Sequence, residues 1–357
     1  MLWICKLLRI SPPMFLRGFV SGTAVSTVVY AVLYASINRK AIDTASVQSN
    51  FEDINKLEQG QEILKYGFPD RGPELMYYTN HVLAYDRAKR TPVWVAEHLT
   101  AETLKGYASR KNEKFLPDPR IPEMFSAQNS DYQGSGWSRG HMSPAGNHKI
   151  SKEAMKDSFF LSNIVPQNYE NNAGFWNRLE MYCRDLTKNF QSVRIISGPL
   201  VMPYEEEGKK FIKYQIIGNS EVAVPTHLYK IIVAERKSQP VALGVFIIPN
   251  EPLDFSHHLT KYQITLPQLE SRTGINFVPK LDLSKTVNLC DVHSCQLIEK
   301  GKFELYFIGR KLESANTLSR LEHVWKELEE KKLKPDKDLI DLYEKRHKEI
   351  LMEEKRK

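Results

Sequence analysis

Between about residues 66 and 308, hydrophobic positions fall into short runs rich in β-branched residues, punctuated by Gly and Pro. Val93-Trp94-Val95, Val193 to Ile196, Val222 to Ala234 and Val241 to Ile248 have the length and composition of strands. Ser151 to Met155, Phe175 to Phe190 and Leu266 to Thr273 have helical spacing instead. The two kinds of segment are interspersed without a regular βαβ period. This predicts an α+β fold, a mixed or antiparallel sheet flanked by helices. Beyond Tyr306 the pattern changes. Leu318, Leu321, Val324, Trp325 and Leu328 recur at helical spacing, Leu333-Lys334-Pro335-Asp336 breaks it, and Leu339, Ile340, Leu342, Tyr343, Ile350 and Leu351 resume it. A C-terminal helical hairpin over residues 309–357 is expected, packed on the body rather than forming an independent binding module.

The amino terminus has a different pattern. No charged residue occurs from Gly18 to Asn38, and at ~1.5 Å per residue that run can cross a ~30 Å hydrocarbon layer. Lys6, Arg9 and Arg17 precede it, and no acid occurs before Asp43. One reading is a cleavable targeting sequence. The preferred one is an uncleaved single-pass anchor behind a basic, mitochondrial-type leader. The basic residues before the span outnumber Arg39 and Lys40 after it, which favours the amino terminus on the matrix or cytosolic side. The expected organisation is a targeting segment and anchor (1–42), a polar tether (43–65), a folded body (66–308) and the helical extension (309–357).

Composition narrows the class. The chain has 357 residues, of which 41% are hydrophobic and 26% charged, enough for a sizeable core. Collagen, wholesale disorder and a multi-span membrane protein are excluded. Four Cys are too few for a disulfide scaffold and lack paired C-x-x-C spacing. Cys290 and Cys295 are expected as free or structural thiols rather than a pair.

Chemistry concentrates between Arg110 and Arg184. Gly134-Ser135-Gly136-Trp137-Ser138-Arg139-Gly140-His141 combines close-approach glycines with a fixed cation and a titratable base. Ser162-Asn163-Ile164-Val165-Pro166-Gln167 follows. Then Asn171-Asn172-Ala173-Gly174-Phe175-Trp176-Asn177-Arg178-Leu179-Glu180 opens a helix, with Arg184 one turn on. An amide oxygen and water suit a hard cation such as Mg²⁺, and a nearby carboxylate can order those waters. A histidine activates water near neutral pH, and arginines neutralise charge on phosphate oxygens.

These three ordered motifs resemble the DNA/RNA non-specific endonucleases of ββα-metal fold over residues 66–308. The resemblance implies a ββα-metal nuclease core, a Mg²⁺ cofactor with Mn²⁺ as alternative, DNA and RNA as partners, and a homodimer. It makes His141 the general base, Asn172 the direct metal ligand, Glu180 the residue ordering metal-bound waters, and Asn163 a group that positions His141 and its loop. Arg139 and Arg184 would contact phosphate. Arg110, in Ala108-Ser109-Arg110-Lys111, matches an upstream arginine on a shorter motif, and products would carry 5′-phosphate and 3′-hydroxyl ends. Most of the family has Asp where this chain has Ser138. Serine there, the leader and the C-terminal extension resemble the exo/endonuclease G-like branch, which implies mainly 5′–3′ exonuclease action with some endonuclease activity. That likeness also implies a mitochondrial role in DNA repair or degradation, with the body facing the intermembrane space from an inner-membrane anchor. The competing expectation is a membrane-tethered nucleic-acid-binding protein that kept this fold and lost the chemistry. Intact His141, Asn172, Glu180 and Arg184 argue against it.

Other residues carry less. His148 matches no zinc spacing and is assigned a surface or phosphate-near position. His257 and His258 sit in a loop-like segment with nothing to partner them. Trp137 and Tyr132 either stack on bases or fill core, and Trp137 and Ser138 are counted with the substrate-binding set. No P-loop, H-E-x-x-H or Rossmann fingerprint is present.

Fifty Lys+Arg against 43 Asp+Glu give a net charge of +7, and its distribution is uneven. The segment before Asp43 carries +5, residues 310–357 carry +2, and residues 43–309 sum to zero. The net charge is therefore a targeting signal and says little about nucleic acid. Residues 105–152 hold eight Lys+Arg against four Asp+Glu, a local excess around His141. Few phosphates should be neutralised, so the salt dependence of nucleic-acid binding should be shallow. A titration showing about ten released ions would contradict this partition.

Overall fold

The computed structural model describes residues 75–354. The expected anchor over 18–38 and tether over 43–65 lie outside the described residues. Among the described residues, no helix is long and apolar enough to cross a membrane.

Three antiparallel strands come first: β1 (Met76–Tyr77), β2 (His81–Asp86) and β3 (Thr91–Leu99). A short separate ribbon follows, β4 (Ser138–His141) paired antiparallel with β5 (Ile164–Gln167). Between its strands runs α1 (Lys152–Ser158), whose N-cap Ser151 accepts from the Ala154 amide. After β5 come a turn at Tyr169–Asn171, a π-turn at Asn172–Trp176 and the regular helix α2 (Asn177–Leu186). β6 (Ser192–Leu200) rejoins the main sheet, and β7 (Tyr204–Glu206) with β8 (Lys209–Phe211) and β9 (Ile216–Ile217) with β10 (Val222–Ala223) form two surface hairpins. β11 (His227–Glu235), β12 (Val241–Pro249), α3 (Leu266–Thr273) and β13 (Thr286–Asn288) complete the body.

The main sheet has the order β1-β2-β3-β6-β11-β12-β13 and is antiparallel except for β12–β13. β11 is apolar on both faces because both are covered. Leu228, Ile232 and Ala234 join one core cluster with Phe175, Trp176, Leu179 and Leu186 of the α2 segment. Tyr229, Ile231 and Val233 join another with Leu266 and Leu269 of α3. The sheet thus holds α2 on one face and α3 on the other. The segment expected as one strand from Val222 to Ala234 is divided between β10 and β11, because Pro225 supplies no amide to continue a ladder.

The C-terminal pair of helices is present as α5 (Leu318–Glu330) and α6 (Lys337–Glu354), separated at the expected Leu333–Asp336 break. A further helix, α4 (Lys300–Glu313), precedes them. Ile308, Leu312, Leu321, Val324, Leu328, Leu339 and Ile350 bury a small core among the three. One expectation is corrected here. Cys290 and Cys295 are joined in a disulfide, with Cα atoms 4.9 Å apart, since the one-turn helix Leu289–Val292 folds the chain back within bridging distance.

Candidate active site

The Arg139-Gly140-His141 run lies on β4, and the close packing of the ribbon explains its central glycine. A Cβ at Gly140 would lie 2.1 Å from Gln167 Oε1, inside the van der Waals limit of a fully buried amide. His141 is half-buried between two aromatic rings, Phe115 at 5.3 Å and Phe159 at 5.0 Å between centroids. Trp176 donates to its carbonyl at 3.4 Å. Burial pushes the His141 pKa down to about 3, with the charge of Arg110 and then His148 adding to the effect. The ring is therefore neutral near pH 7, and its buried Nε2 has no hydrogen-bond partner.

Two buried residues hold the loop that follows. Asn163 is fully buried, and its side-chain amide accepts from Ser143 N at 2.9 Å and donates to the carbonyls of Ser143 and Ser158 at 2.9 and 2.8 Å. It touches backbone rather than the His141 ring, so its role is positioning. Glu97, on β3, accepts from Ser143 Oγ and Asn147 Nδ2, both at 2.8 Å. Asn147 in turn accepts from Arg184 Nη1 at 3.0 Å. A continuous path thus runs from a buried carboxylate under the sheet to the guanidinium of Arg184. Burial pushes the Glu97 pKa up, opposed by Lys230 and its two hydrogen bonds. Lys230 is itself buried, donating to Ser197 Oγ at 2.6 Å and lying 4.4 Å from the centre of the Trp176 ring.

The α2 segment brings in the remaining groups. Asn172 opens the π-turn, a widened turn common at functional positions. Its Nδ2 donates to Ser138 Oγ at 3.0 Å and to Arg139 O at 3.5 Å, and Ser138 Oγ donates to Gln167 O at 2.8 Å. With Nδ2 committed to the ribbon, the amide presents Oδ1 elsewhere. Glu180 is half-buried, and burial pushes its pKa up to about 7 against the opposing charges of Arg184 and Lys230. A neutral amide oxygen with a carboxylate further along the same helical segment suits a hard divalent cation, held directly by the one and through water by the other. The residues present fit such an ion.

The structure therefore brings His141, Ser138, Arg139, Asn172, Glu180 and Arg184 together around β4, β5 and α2. Arg110 is exposed in a 3₁₀ turn, its guanidinium 5.8 Å from the Phe159 ring that flanks His141. Arg139 packs over Tyr132 at 5.0 Å and Phe115 at 5.6 Å and donates to Asn129 O. Trp137 stands apart from the hydrogen-bonded set and donates to Gln215 at 3.0 Å. Tyr132 is core. Two minor expectations are corrected. His148 is fully buried, not at the surface, because Ser143 Oγ contacts its Nε2 at 2.7 Å and the loop closes over it. His257 has a partner, Tyr262 OH at 2.8 Å, brought near by the 3₁₀ turn at Leu259–Tyr262.

Sequence reading missed Glu97, Ser143, Asn147 and Lys230. A signal existed for two of them. Val95, Glu97 and Leu99 alternate onto one buried face of β3, and Lys230 interrupts the apolar run of β11. A charge in such a position needs a buried partner.

The chain is similar to known proteins along most of its length. A family model described as DNA/RNA non-specific endonuclease matches residues 59–284, and one described as Endo/exonuclease (EXOG) C-terminal domain matches residues 299–346. The chain is 51% identical over 346 residues to Nuclease EXOG, mitochondrial, of Xenopus laevis, covering 96% of this chain and 94% of that one. It is 45% identical over 349 residues to the Homo sapiens protein of the same name, covering 95% and 93%. A crystal structure of the EndoG/EndoGI complex superposes with a TM-score of 0.59 at 36% identity, covering 64% of this chain and 94% of that one.

Burial of the His148 ring has a measurable consequence. Its pKa falls from 6.5 to about 4, chiefly through burial and despite the raising effect of Asp157. A histidine kept neutral in the fold contributes stability that is complete above about pH 6.5 and is lost as pH falls through about 4. The linked loss is about 3 kcal/mol. Unfolding measured across that window should show destabilisation on acidification, and His148→Gln should flatten the curve. An unchanged pH slope in the variant would contradict the assignment.

Proposed function

The chain belongs to the DNA/RNA non-specific endonuclease family and is a phosphodiester-hydrolysing nuclease, and we propose that it cleaves DNA and RNA with Mg²⁺, acting mainly as a 5′–3′ exonuclease. The observation that carries this reading is the pairing of a neutral, aromatic-enclosed His141 with an Asn172 amide turned by Ser138. His141 takes a proton from the attacking water through a free ring nitrogen. Arg139, Arg184 and Arg110 would neutralise charge that builds on the phosphate oxygens, and Arg184 is held by Asn147. Asn172 Oδ1 would hold the Mg²⁺, with Mn²⁺ as the alternative, and Glu180 would orient the ion's water shell. The ion supplies positive charge at the phosphate and the leaving oxygen. Water adds to phosphorus, the P–O3′ bond breaks and O3′ takes up a proton, which leaves 5′-phosphate and 3′-hydroxyl ends.

Serine in place of a carboxylate at 138 and the three C-terminal helices support the exonuclease preference. Relatives named as mitochondrial nucleases, with the basic leader before the uncharged 18–38 run, support a mitochondrial location. In this reading residues 18–38 anchor a homodimer in the inner membrane with the body in the intermembrane space, and the activity serves mitochondrial DNA repair or degradation.

A 5′-labelled linear duplex incubated with the full chain and Mg²⁺ should be degraded from its 5′ ends, and chelation should stop it. His141→Ala should lower the rate by about 10²- to 10⁴-fold. An undiminished rate in the variant contradicts the base assignment, and circular duplex consumed as fast as linear contradicts the exonuclease preference.

A further inference from the structure

Beside the site lies a cleft of about 300 Å³ lined by Trp137, Lys213, Tyr214, Gln215, Val224 and Pro225, among others. It is not part of the hydrogen-bonded set around β4, but Trp137 links it in the chain to the strand that carries Arg139 and His141. Trp137 is the residue before β4, and in an extended segment Trp137, Arg139 and His141 fall on one side at intervals of about 6.6 Å. Phe115 ties the three together. It lies 5.3 Å from the His141 ring and 5.6 Å from the Arg139 guanidinium, and it packs with Trp137 against the same core cluster.

Both walls of the cleft are built rather than incidental. On one side, Gly134 and Gly136 adopt φ of +69° and +82°, a left-handed turn that other residues make with strain. That turn is closed by Ser135 Oγ, which donates to Tyr132 O at 2.9 Å and accepts from Trp137 N at 3.1 Å. On the other side, the β9–β10 hairpin joins Gln215 to Val224 through a backbone hydrogen bond of 2.8 Å. Buried Asp131 links the walls, accepting from Ser220 N at 3.0 Å and from Gln128 N at 2.7 Å. Across the gap Trp137 Nε1 donates to Gln215 Oε1 at 3.0 Å, which fixes the indole. Tyr214 is 39% exposed, and the exposed Lys213 adds a positive charge beside it.

We propose that this cleft is a nucleobase-binding subsite, in which Trp137 and Tyr214 take the base of the nucleotide next to the scissile phosphate and Lys213 contacts that nucleotide's phosphate. The proposal rests on the reading that Arg139, His141 and Asn172 receive the scissile phosphate. An aromatic wall accepts any base through its π-face without reading its edges, as a nuclease without sequence preference requires.

The test uses the full chain with Mg²⁺ and oligonucleotides whose linkages are all phosphorothioate except one, set at the first or second position from the 5′ end, where a 5′–3′ exonuclease cuts. The base is left in place or removed (an abasic residue) at the nucleotide on either side of that linkage. On one side, loss of the base should slow wild-type cleavage by about 5- to 100-fold. Trp137→Ala and Tyr214→Ala should slow cleavage of the intact substrate by a similar factor and erase most of the difference between intact and abasic, and Trp137→Phe should retain it. The ratio does not depend on how much of a variant is folded, and Tyr214 is exposed enough to replace safely. A wild type indifferent to base removal on both sides overturns the subsite alone, as do variants with the wild-type ratio. No cleavage of any of these substrates overturns the subsite together with the reading of the site beneath it.

Discussion

A polar loop held against the inner face of a hydrophobic sheet needs partners for its buried polar groups. Here Asn163 and Glu97 supply most of them, while Glu97 Oε1 itself has none. Asn163 satisfies both backbone groups of Ser143, and Glu97 takes the Ser143 hydroxyl and the Asn147 amide. These contacts fix the segment between His141 and His148, and through Asn147 they reach Arg184 on a different element. Lys230 compensates the buried carboxylate and also packs on Trp176, the residue that ties the π-turn to the backbone of His141. Site and core therefore form one body: apolar contacts of Phe175, Trp176 and Leu179 place the helix, and buried polar contacts place the loop.

The second dependence is between ribbon and helix. Ser138 carries no charge, so it cannot compete as an anionic ligand. It accepts from Asn172 Nδ2 while donating to Gln167 O, and so sets the rotation of the Asn172 amide. The π-turn brings that amide to the ribbon without disturbing the packing of α2. In the proposed reading, a site built this way would offer the metal a single neutral protein oxygen and leave most of its hydration intact, the arrangement Mg²⁺ favours.

Much of this was legible in the chain. Strand composition located β3, β6, β11 and β12. Helical periodicity located α2, α3 and the last two helices, because long amphipathic repeats and β-branched runs are strong local signals. The three motifs pointed to Arg139, His141, Asn172 and Glu180 as candidates, and the structure brings their segments, β4 and the α2 segment, together. What stayed hidden was set by tertiary contact. The π-turn at Asn172–Trp176 has no local signature. The Cys290–Cys295 pairing depends on a one-turn reversal. Pro225 was available as a break in the 222–234 run, but apolar continuity outweighed it. Glu97 and Lys230 were visible as charges inside buried patterns, and only the sheet register shows that they lie on one face, two residues out of line, close enough for Lys230 to oppose the rise in the Glu97 pKa.

The claim most open to direct test is that Asn172 anchors the metal and that Ser138 orients it. Mn²⁺ can be titrated into the full chain without nucleic acid, with the free ion followed by electron paramagnetic resonance. Saturable binding is expected in the wild type, with loss of that binding in Asn172→Ala and weaker binding in Ser138→Ala. Undiminished Mn²⁺ binding by Asn172→Ala would contradict the claim.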